Sequence, residues 1–409
     1  MARLGGSEAV FKLYEKVRKT FWHDHGERSD MLGDAARWVE CLKDHHLILH
    51  IYPPRSLEHF FRLERTLGAG AFGSVYASSM TRRGARRLPM LSADRTYAIK
   101  RMAVSRLNAH CGVSPIICAL RRGLPHERVV PVLKALSNPE CPHVLRIFAA
   151  VIELPRYVNT LMELVDGPDL HEYFSASVSP VTESQAAVVV RQLCSALEYL
   201  HFRLGMVHRD VKLENVIFTN HPDREAVADG AELPSVKVID YGLAYILSAP
   251  VAEDTARGVE RASPGGTPAY MAPECWESMV GPCCDVWGLG TISYILLCME
   301  FPFRLKSCRG QFSKCVREGI LDFDNETWSE VSGEAKDFVS AALAKEPQAR
   351  ATARELLAYR WLKVGGYRTK RRAKTAGATL GARTRAEVTR ATMLHNFATI
   401  GASSASERL

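Results

Sequence analysis

The sequence predicts an α+β protein in which a small antiparallel sheet precedes a mainly helical region. Two observations carry this. After Pro53-Pro54 the chain breaks into short apolar runs, Phe61 to Leu67, Gly73 to Ala77 and Thr96 to Met102, separated by glycine and polar turns, the pattern of antiparallel strands. From Thr182 to Phe202 apolar residues recur at helical spacing, with Ala186, Val189, Val190, Leu193, Leu197 and Leu200 on one face. Ahead of the prolines, Val10, Leu13, Tyr14 and Val17, then Leu32, Ala35, Trp38, Val39 and Leu42, repeat at the same spacing to about His50. Residues 1–60 therefore read as a helical N-terminal extension that packs on the following domain.

Composition narrows the class. With 47% apolar and 24% charged residues, the 409-residue chain is folded rather than disordered throughout. No run approaches the about 20 apolar residues of a membrane span, and residues 1–30 lack a signal-peptide core. Alanine at residue 2 removes the glycine that myristoylation needs. The 11 cysteines are odd in number and form no CxxC pair, which argues against a disulfide framework or zinc ribbon and for an intracellular setting, cytoplasmic or nuclear. Cys283 and Cys284 are adjacent, so on a helix their side chains point apart, and both read as buried thiols. The net charge of +8 is matched by residues 363–409 alone, which hold ten Lys/Arg against two Glu. That basic tail, short of large apolar residues, reads as flexible. It is open to three uses: a solvated terminus, an autoinhibitory or calmodulin-like contact, or an anionic membrane or nuclear-import patch. No internal repeat and no EF-hand loop occur.

The chemistry is concentrated in a few motifs. Residues 68–75 form a GxGxxGxV stretch in which Gly68, Gly70 and Gly73 let the backbone approach phosphate oxygens. Alone it could equally be a dinucleotide-binding turn or a hairpin loop, but Ser74 to Ala77 continues as strand instead of opening a helix. Lys100 follows within the apolar strand Ala98-Ile99-Lys100. His208-Arg209-Asp210-Val211-Lys212-Leu213-Glu214-Asn215 then packs a carboxylate, a cation and an amide oxygen into six residues. Phosphoryl transfer asks for those groups: one orients the hydroxyl, one meets charge at the γ-phosphate and one ligates Mg²⁺. A strand at Val236 to Ile239 ends in Asp240-Tyr241-Gly242, a second carboxylate suited to a metal ion. Gly266-Thr267-Pro268-Ala269-Tyr270-Met271-Ala272-Pro273-Glu274 and Asp285-Val286-Trp287-Gly288 come next.

In this order, the glycine loop, strand lysine, HRDxKxxN, DFG-like triplet and APE resemble the eukaryotic protein kinases, over residues 61–362. The resemblance implies the bilobal kinase fold, with an N-lobe at 61–162, a hinge at 163–166, a C-lobe at 167–362 and a tail at 363–409. It implies ATP and Mg²⁺ as cofactors. Asp210 would orient the substrate hydroxyl, Lys212 would neutralise the transferring phosphoryl group, Asn215 and Asp240 would hold Mg²⁺, and Lys100 would contact the α and β phosphates. Leu67, Gly68, Gly70, Gly73, Val75, Ala98, Met162 and Ile217 would line the nucleotide, with Glu163 and Val165 bonding adenine through backbone groups and Met162 as gatekeeper. Those four polar groups, Lys100, Asp210, Asn215 and Asp240, are expected to converge on one cleft.

Lys212 and the GTPxYxAPE pattern resemble serine/threonine kinases, especially the calcium/calmodulin-dependent branch, and imply protein substrates with Ser/Thr acceptors, with no specific nucleic acid. Asp169 and Glu214 match positions that select basic residues near the acceptor. Arg209 and Ser263 match an activation-loop arrangement in which an upstream kinase phosphorylates the serine. The other reading of the same residues is a pseudokinase scaffold or nucleotide-binding regulatory module. Two departures stand out. Tyr241 replaces the usual phenylalanine and brings a hydroxyl that needs a partner. The helix-C glutamate that should pair with Lys100 is replaced, by register, by Val129. Glu127 lies two residues away and reaches Lys100 only if the segment after Pro125 is irregular, so another acid substitutes or the resting state is weakly active. Thr81 to Arg87, Asn108 to Pro125 and Asn220 to Pro234 read as long loops.

Overall fold

A computed structural model describes residues 48–51, 56–70, 73–103, 124, 126–153, 156–175, 181–228, 231–263, 265–303, 312–324 and 326–363. The N-terminal helical pattern up to residue 47, most of the loop 108–125 and the tail beyond Lys363 lie outside these residues. The chain divides into two compact units.

The first unit holds Met1–Val165, Leu204–Met206 and Asp240–Pro250. Its centre is a six-stranded sheet in the order β1-β5-β6-β4-β3-β2. The strands are β1 (Ile48–Ile51), β2 (Phe61–Gly70), β3 (Gly73–Met80), β4 (Tyr97–Ala103), β5 (Ile147–Glu153) and β6 (Tyr157–Glu163). Neighbours are antiparallel except β1, which runs parallel to β5. The helical pattern carried to about His50 is thus corrected at its end, where Ile48–Ile51 is a strand. β-branched and long apolar residues at Ile48, Leu49 and Ile51 suit a strand as well as a helix when the run is this short.

One face of the sheet buries Leu57, Phe61, Leu88, Tyr97, Ile99, Val151 and Leu161 as a single cluster. Tyr97 contacts Phe61 and Phe148 edge-on, and its hydroxyl donates to Ser92 O at 2.8 Å, so the buried phenol is satisfied. Thr81 to Arg87, read as a loop, forms a short helix, Arg82–Arg87, because Thr81 Oγ1 caps Gly84 N at 3.0 Å. Glycine is required at 84, where a Cβ would lie 2.2 Å from Phe60 O.

The second unit, Asp166–Arg203, Val207–Ile239 and Val251–Leu409, is mainly helical. The helix Glu183–Glu198 starts at a capping box between Thr182 and Gln185, and its predicted apolar face is buried. It packs on Pro282–Cys298, a helix buried on every side, and on the strand Val236–Val238, which pairs with Val216–Phe218. Asn220 to Pro234 also holds a short helix, Arg224–Ala228, whose first N–H groups are capped by Asp223. Cys283 and Cys284 do point apart, toward Ala256 O and Glu274 respectively. No helix among the described residues is long and apolar enough to cross a membrane.

Candidate active site

The catalytic loop is built around one buried carboxylate. Asp285, at the start of the helix Pro282–Cys298, accepts from His208 N and Arg209 N at 2.7 Å each and contacts His201 Nε2 at 2.8 Å. These bonds hold Arg209 in the left-handed region, at φ 70°. Such a backbone is strained for a side-chain-bearing residue and persists only where its surroundings fix it. His208 is fully buried, and its Nε2 meets Ile239 O at 2.8 Å. Gly288 lets this helix approach the loop, since a Cβ there would lie 2.6 Å from Val211 O.

Asp210, Lys212 and Asn215 are brought together as the motif predicted. Asn215 Nδ2 donates to Asp210 O at 2.7 Å and to Asp210 Oδ2 at 3.0 Å. Lys212 Nζ lies 3.2 Å from Asp210 Oδ2. Thr267 completes the set: its hydroxyl donates to Asp210 Oδ1 at 2.7 Å and accepts from Lys212 Nζ at 2.8 Å. Sequence reasoning quoted Thr267 within a motif without giving it a task, and Asp285 likewise. The Asp210 carboxylate is thereby oriented by three side chains. Because Asn215 turns its NH₂ to Asp210, its amide oxygen is the atom suited to a hard cation, and Asp240 offers the same oxygen chemistry, which fits Mg²⁺.

Lys100 and Asp240 meet in the first unit. Lys100 Nζ donates to Asp240 Oδ1 at 2.6 Å, and Gly242 N donates to the same oxygen at 3.0 Å. Asp240 thus offers Lys100 a carboxylate. His126–Ser137 is a helix with Pro131 inside it; Val129 is buried and Glu127 is exposed in its first turn. In place of a glutamate tether, Arg128 of this helix donates to Gly205 O and Leu247 O at 3.1 Å each. Tyr241 has its partner: the buried phenol accepts from Leu145 N at 3.0 Å.

The expected nucleotide-lining residues distribute as follows. Gly68 pairs with Val75 and Gly70 with Gly73, across the β2–β3 turn, and Leu67 is 37% exposed beside them. Gly73 has φ 112°, and a Cβ would lie 2.2 Å from Arg101 O, so glycine is obligatory there. Ala98 is buried and pairs with both Ala77 and Met162. Glu163 N donates to Arg146 O at 3.0 Å, and its carboxylate accepts from Arg146 N at 2.7 Å. Val165 follows as the last residue before the second unit, where Ile217 bridges Asp169. Asp169 Oδ1 caps the helix Leu170–Ser175 by accepting from Glu172 N at 2.7 Å. Burial pushes the Asp169 carboxyl above its ordinary range, against that capping bond. Glu214 Oε2 is buried with no hydrogen-bond partner among the described residues, and so is the hydroxyl of Tyr270, whose pKa burial and the Glu214 charge raise well above normal.

The activation segment, taken as the stretch from Asp240 to Glu274, is held at two points. Arg209 Nη2 donates to Ser263 O at 2.5 Å, and Ser263 itself is exposed. At the other point, the fully buried Arg350 donates to Glu274 Oε1 at 2.6 Å and Oε2 at 3.0 Å, a fork-to-fork pair.

A protein kinase domain family model matches residues 61–362. The chain belongs to the protein kinase family. It is similar to calcium-dependent protein kinase 12 of Oryza sativa subsp. japonica, 30% identical over 312 residues, 76% of this chain and 50% of the relative. Serine/threonine-protein kinase 33 of Mus musculus is 30% identical over 308 residues, 75% of this chain and 55% of the relative. Calcium-dependent protein kinase 13 of Arabidopsis thaliana is 28% identical over 340 residues, 83% and 55%. The chain thus spans about half the length of the curated relatives it matches. As a kinase domain, its sheet unit and helical unit are the two parts of the α+β kinase fold.

Proposed function

We propose that this kinase-family chain is an active serine/threonine protein kinase that transfers the γ-phosphate of ATP to protein hydroxyls, with a preference for basic residues near the acceptor. The observation that carries the proposal is the Asp210 carboxylate, held by Asn215, Thr267 and Lys212. Mg·ATP, when bound, supplies the phosphoryl group and part of the charge neutralisation. Asp210 orients the acceptor hydroxyl and takes its hydrogen bond, while Lys212 meets the charge that develops on the transferring group. Asn215 and Asp240 would hold Mg²⁺ through oxygen atoms, and Lys100, which meets Asp240, would contact the α and β phosphates. Backbone groups of Glu163 and Val165 would bond adenine, against Ala98, Val75 and Leu67, with Met162 as gatekeeper.

Glu214 supports the basic preference. A buried carboxylate oxygen without a partner is costly, and a substrate arginine would satisfy it. Asp169, whose carboxylate caps its own helix, is the weaker candidate. The contact of Arg209 with the Ser263 carbonyl supports its pairing with a phosphate that an upstream kinase would add to Ser263. None of the seven described cysteines is in a disulfide, which suits a cytoplasmic or nuclear protein. A regulatory contact through the basic tail is part of the same proposal.

The test is a Ser/Thr peptide library with radiolabelled ATP. Arginine ahead of the acceptor should raise kcat/KM by about tenfold or more, the value of one charge-assisted hydrogen bond, and Glu214→Ala should lose that gain. Equal turnover of arginine and alanine peptides would refute the preference, and label appearing only on tyrosine would refute the acceptor class.

A further inference from the structure

Three potential ligand atoms cluster away from the catalytic residues. Cys275 lies in the turn Pro273–Glu277 and Cys284 in the first turn of the helix Pro282–Cys298. Their sulfurs and a Glu274 oxygen all lie within 4.8 Å of one another. A bound metal ion is one use of such a group, but the charges oppose it. Both Glu274 oxygens already accept from the Arg350 guanidinium, and Cys284 Sγ–H donates to Oε1 at 3.4 Å. A cation would enter beside a buried positive charge and find its carboxylate ligand taken. The two sulfurs are left facing each other. Cys283, next in the chain, is turned toward Ala256 O instead.

We infer that Cys275 and Cys284 form a reversible disulfide under peroxide, a covalent tie between the end of the activation segment and the helix that follows it. Cys275 is partly exposed, so a small oxidant reaches it, whereas Cys284 is 6% exposed. The Cys275 sulfur attacks hydrogen peroxide, breaking the O–O bond to give a sulfenic acid and water. The Cys284 sulfur then attacks the Cys275 sulfur. The S–O bond breaks, and the hydroxyl leaves with the Cys284 proton as a second water. Each sulfur gives up one electron and the peroxide takes two. The hydrogen bond with Cys275 and burial raise the Cys284 pKa, so Cys275 is the sulfur that meets peroxide first, and Cys284 gives up its proton as its sulfur attacks. A sulfur–sulfur bond of about 2.05 Å needs closure from within the present 4.8 Å. Closure removes the Sγ–H donor from Glu274 and fixes Pro273–Glu277 to the helix. The inference does not rest on the proposed activity.

The experiment is peroxide treatment of the full chain, alkylation of remaining thiols under denaturing conditions, and mass spectrometry. Trypsin leaves all four cysteines Cys275, Cys283, Cys284 and Cys298 on one peptide, residues 262–304, so a second cut after Glu277 is needed to separate Cys275 from the others. The expected result is a Cys275–Cys284 link that survives this cut and disappears with dithiothreitol. Cys283→Ser should retain it and Cys275→Ser should abolish it, with Cys284 then alkylated. Because Cys275 is only partly buried, its serine variant should fold; circular dichroism checks this. A link to Cys283, oxidation of Cys275 to sulfinic acid without a link, or two unmodified thiols would overturn the inference. So would protection of both thiols by added Zn²⁺ in the reduced protein.

Discussion

Tyr241 shows how one atom changes the demands of a motif. A phenylalanine in its place would fill the same apolar surroundings, but Leu145 N–H, also buried, donates to the Tyr241 oxygen at 3.0 Å. Tyr241→Phe should therefore leave an amide unpaired and lower stability by about 1–3 kcal/mol in urea denaturation, while turnover persists. An unchanged midpoint would mean that the amide finds another acceptor. At this scale the sequence was most informative where chemistry is contiguous. Asp210, Lys212 and Asn215 lie within six residues, and they share hydrogen bonds. Thr267, 57 residues from Asp210, gave no such signal, because a threonine in a loop is ordinarily a solvated hydroxyl. The partner of Lys100 was hidden for a different reason. Asp240 was assigned to the metal, and only the fold brings its oxygen 2.6 Å from Nζ.

Elements were legible in proportion to their amphipathic signal. The helix Glu183–Glu198 was visible from its apolar stripe, which is buried. The helix Pro282–Cys298 was not, because it is buried on all sides and has no polar face to set a period. The strand Ile48–Ile51 was too short to separate from the helical run before it. Helix caps also escaped: the loops predicted at 81–87 and 220–234 contain short helices begun by Thr81 and Asp223. Asp169 plays the same part for Leu170–Ser175, and burial raises its carboxyl pKa. A raised acid favours the folded state below its unfolded pKa and loses that contribution as pH rises through the folded value. At neutral pH the ionised Asp169 is thus desolvated at a cost. Asn caps as well as Asp without the charge. Asp169→Asn should raise the thermal midpoint at pH 7, with the gain shrinking as pH falls through the ordinary carboxylate range. A gain independent of pH would point to packing instead.

For the whole molecule, the net charge of +8 is matched by the residues from Lys363 onward, so the body from which the kinase motifs come is close to neutral. The proposed preference for basic substrates would then rest on particular acids such as Glu214 rather than on the overall field. The family assignment covers residues 61–362. Within it the catalytic groups are all of the type phosphoryl transfer requires, and that is what favours an enzyme over a scaffold. The most direct measurement is transfer of label from γ-labelled ATP to a basic Ser/Thr protein, wild type beside Asp210→Asn. Wild type should phosphorylate the substrate on serine or threonine, and the variant should lose at least about 100-fold in rate, the scale of general acid–base contributions. Equal labelling by the two proteins, or none by either, would contradict the account.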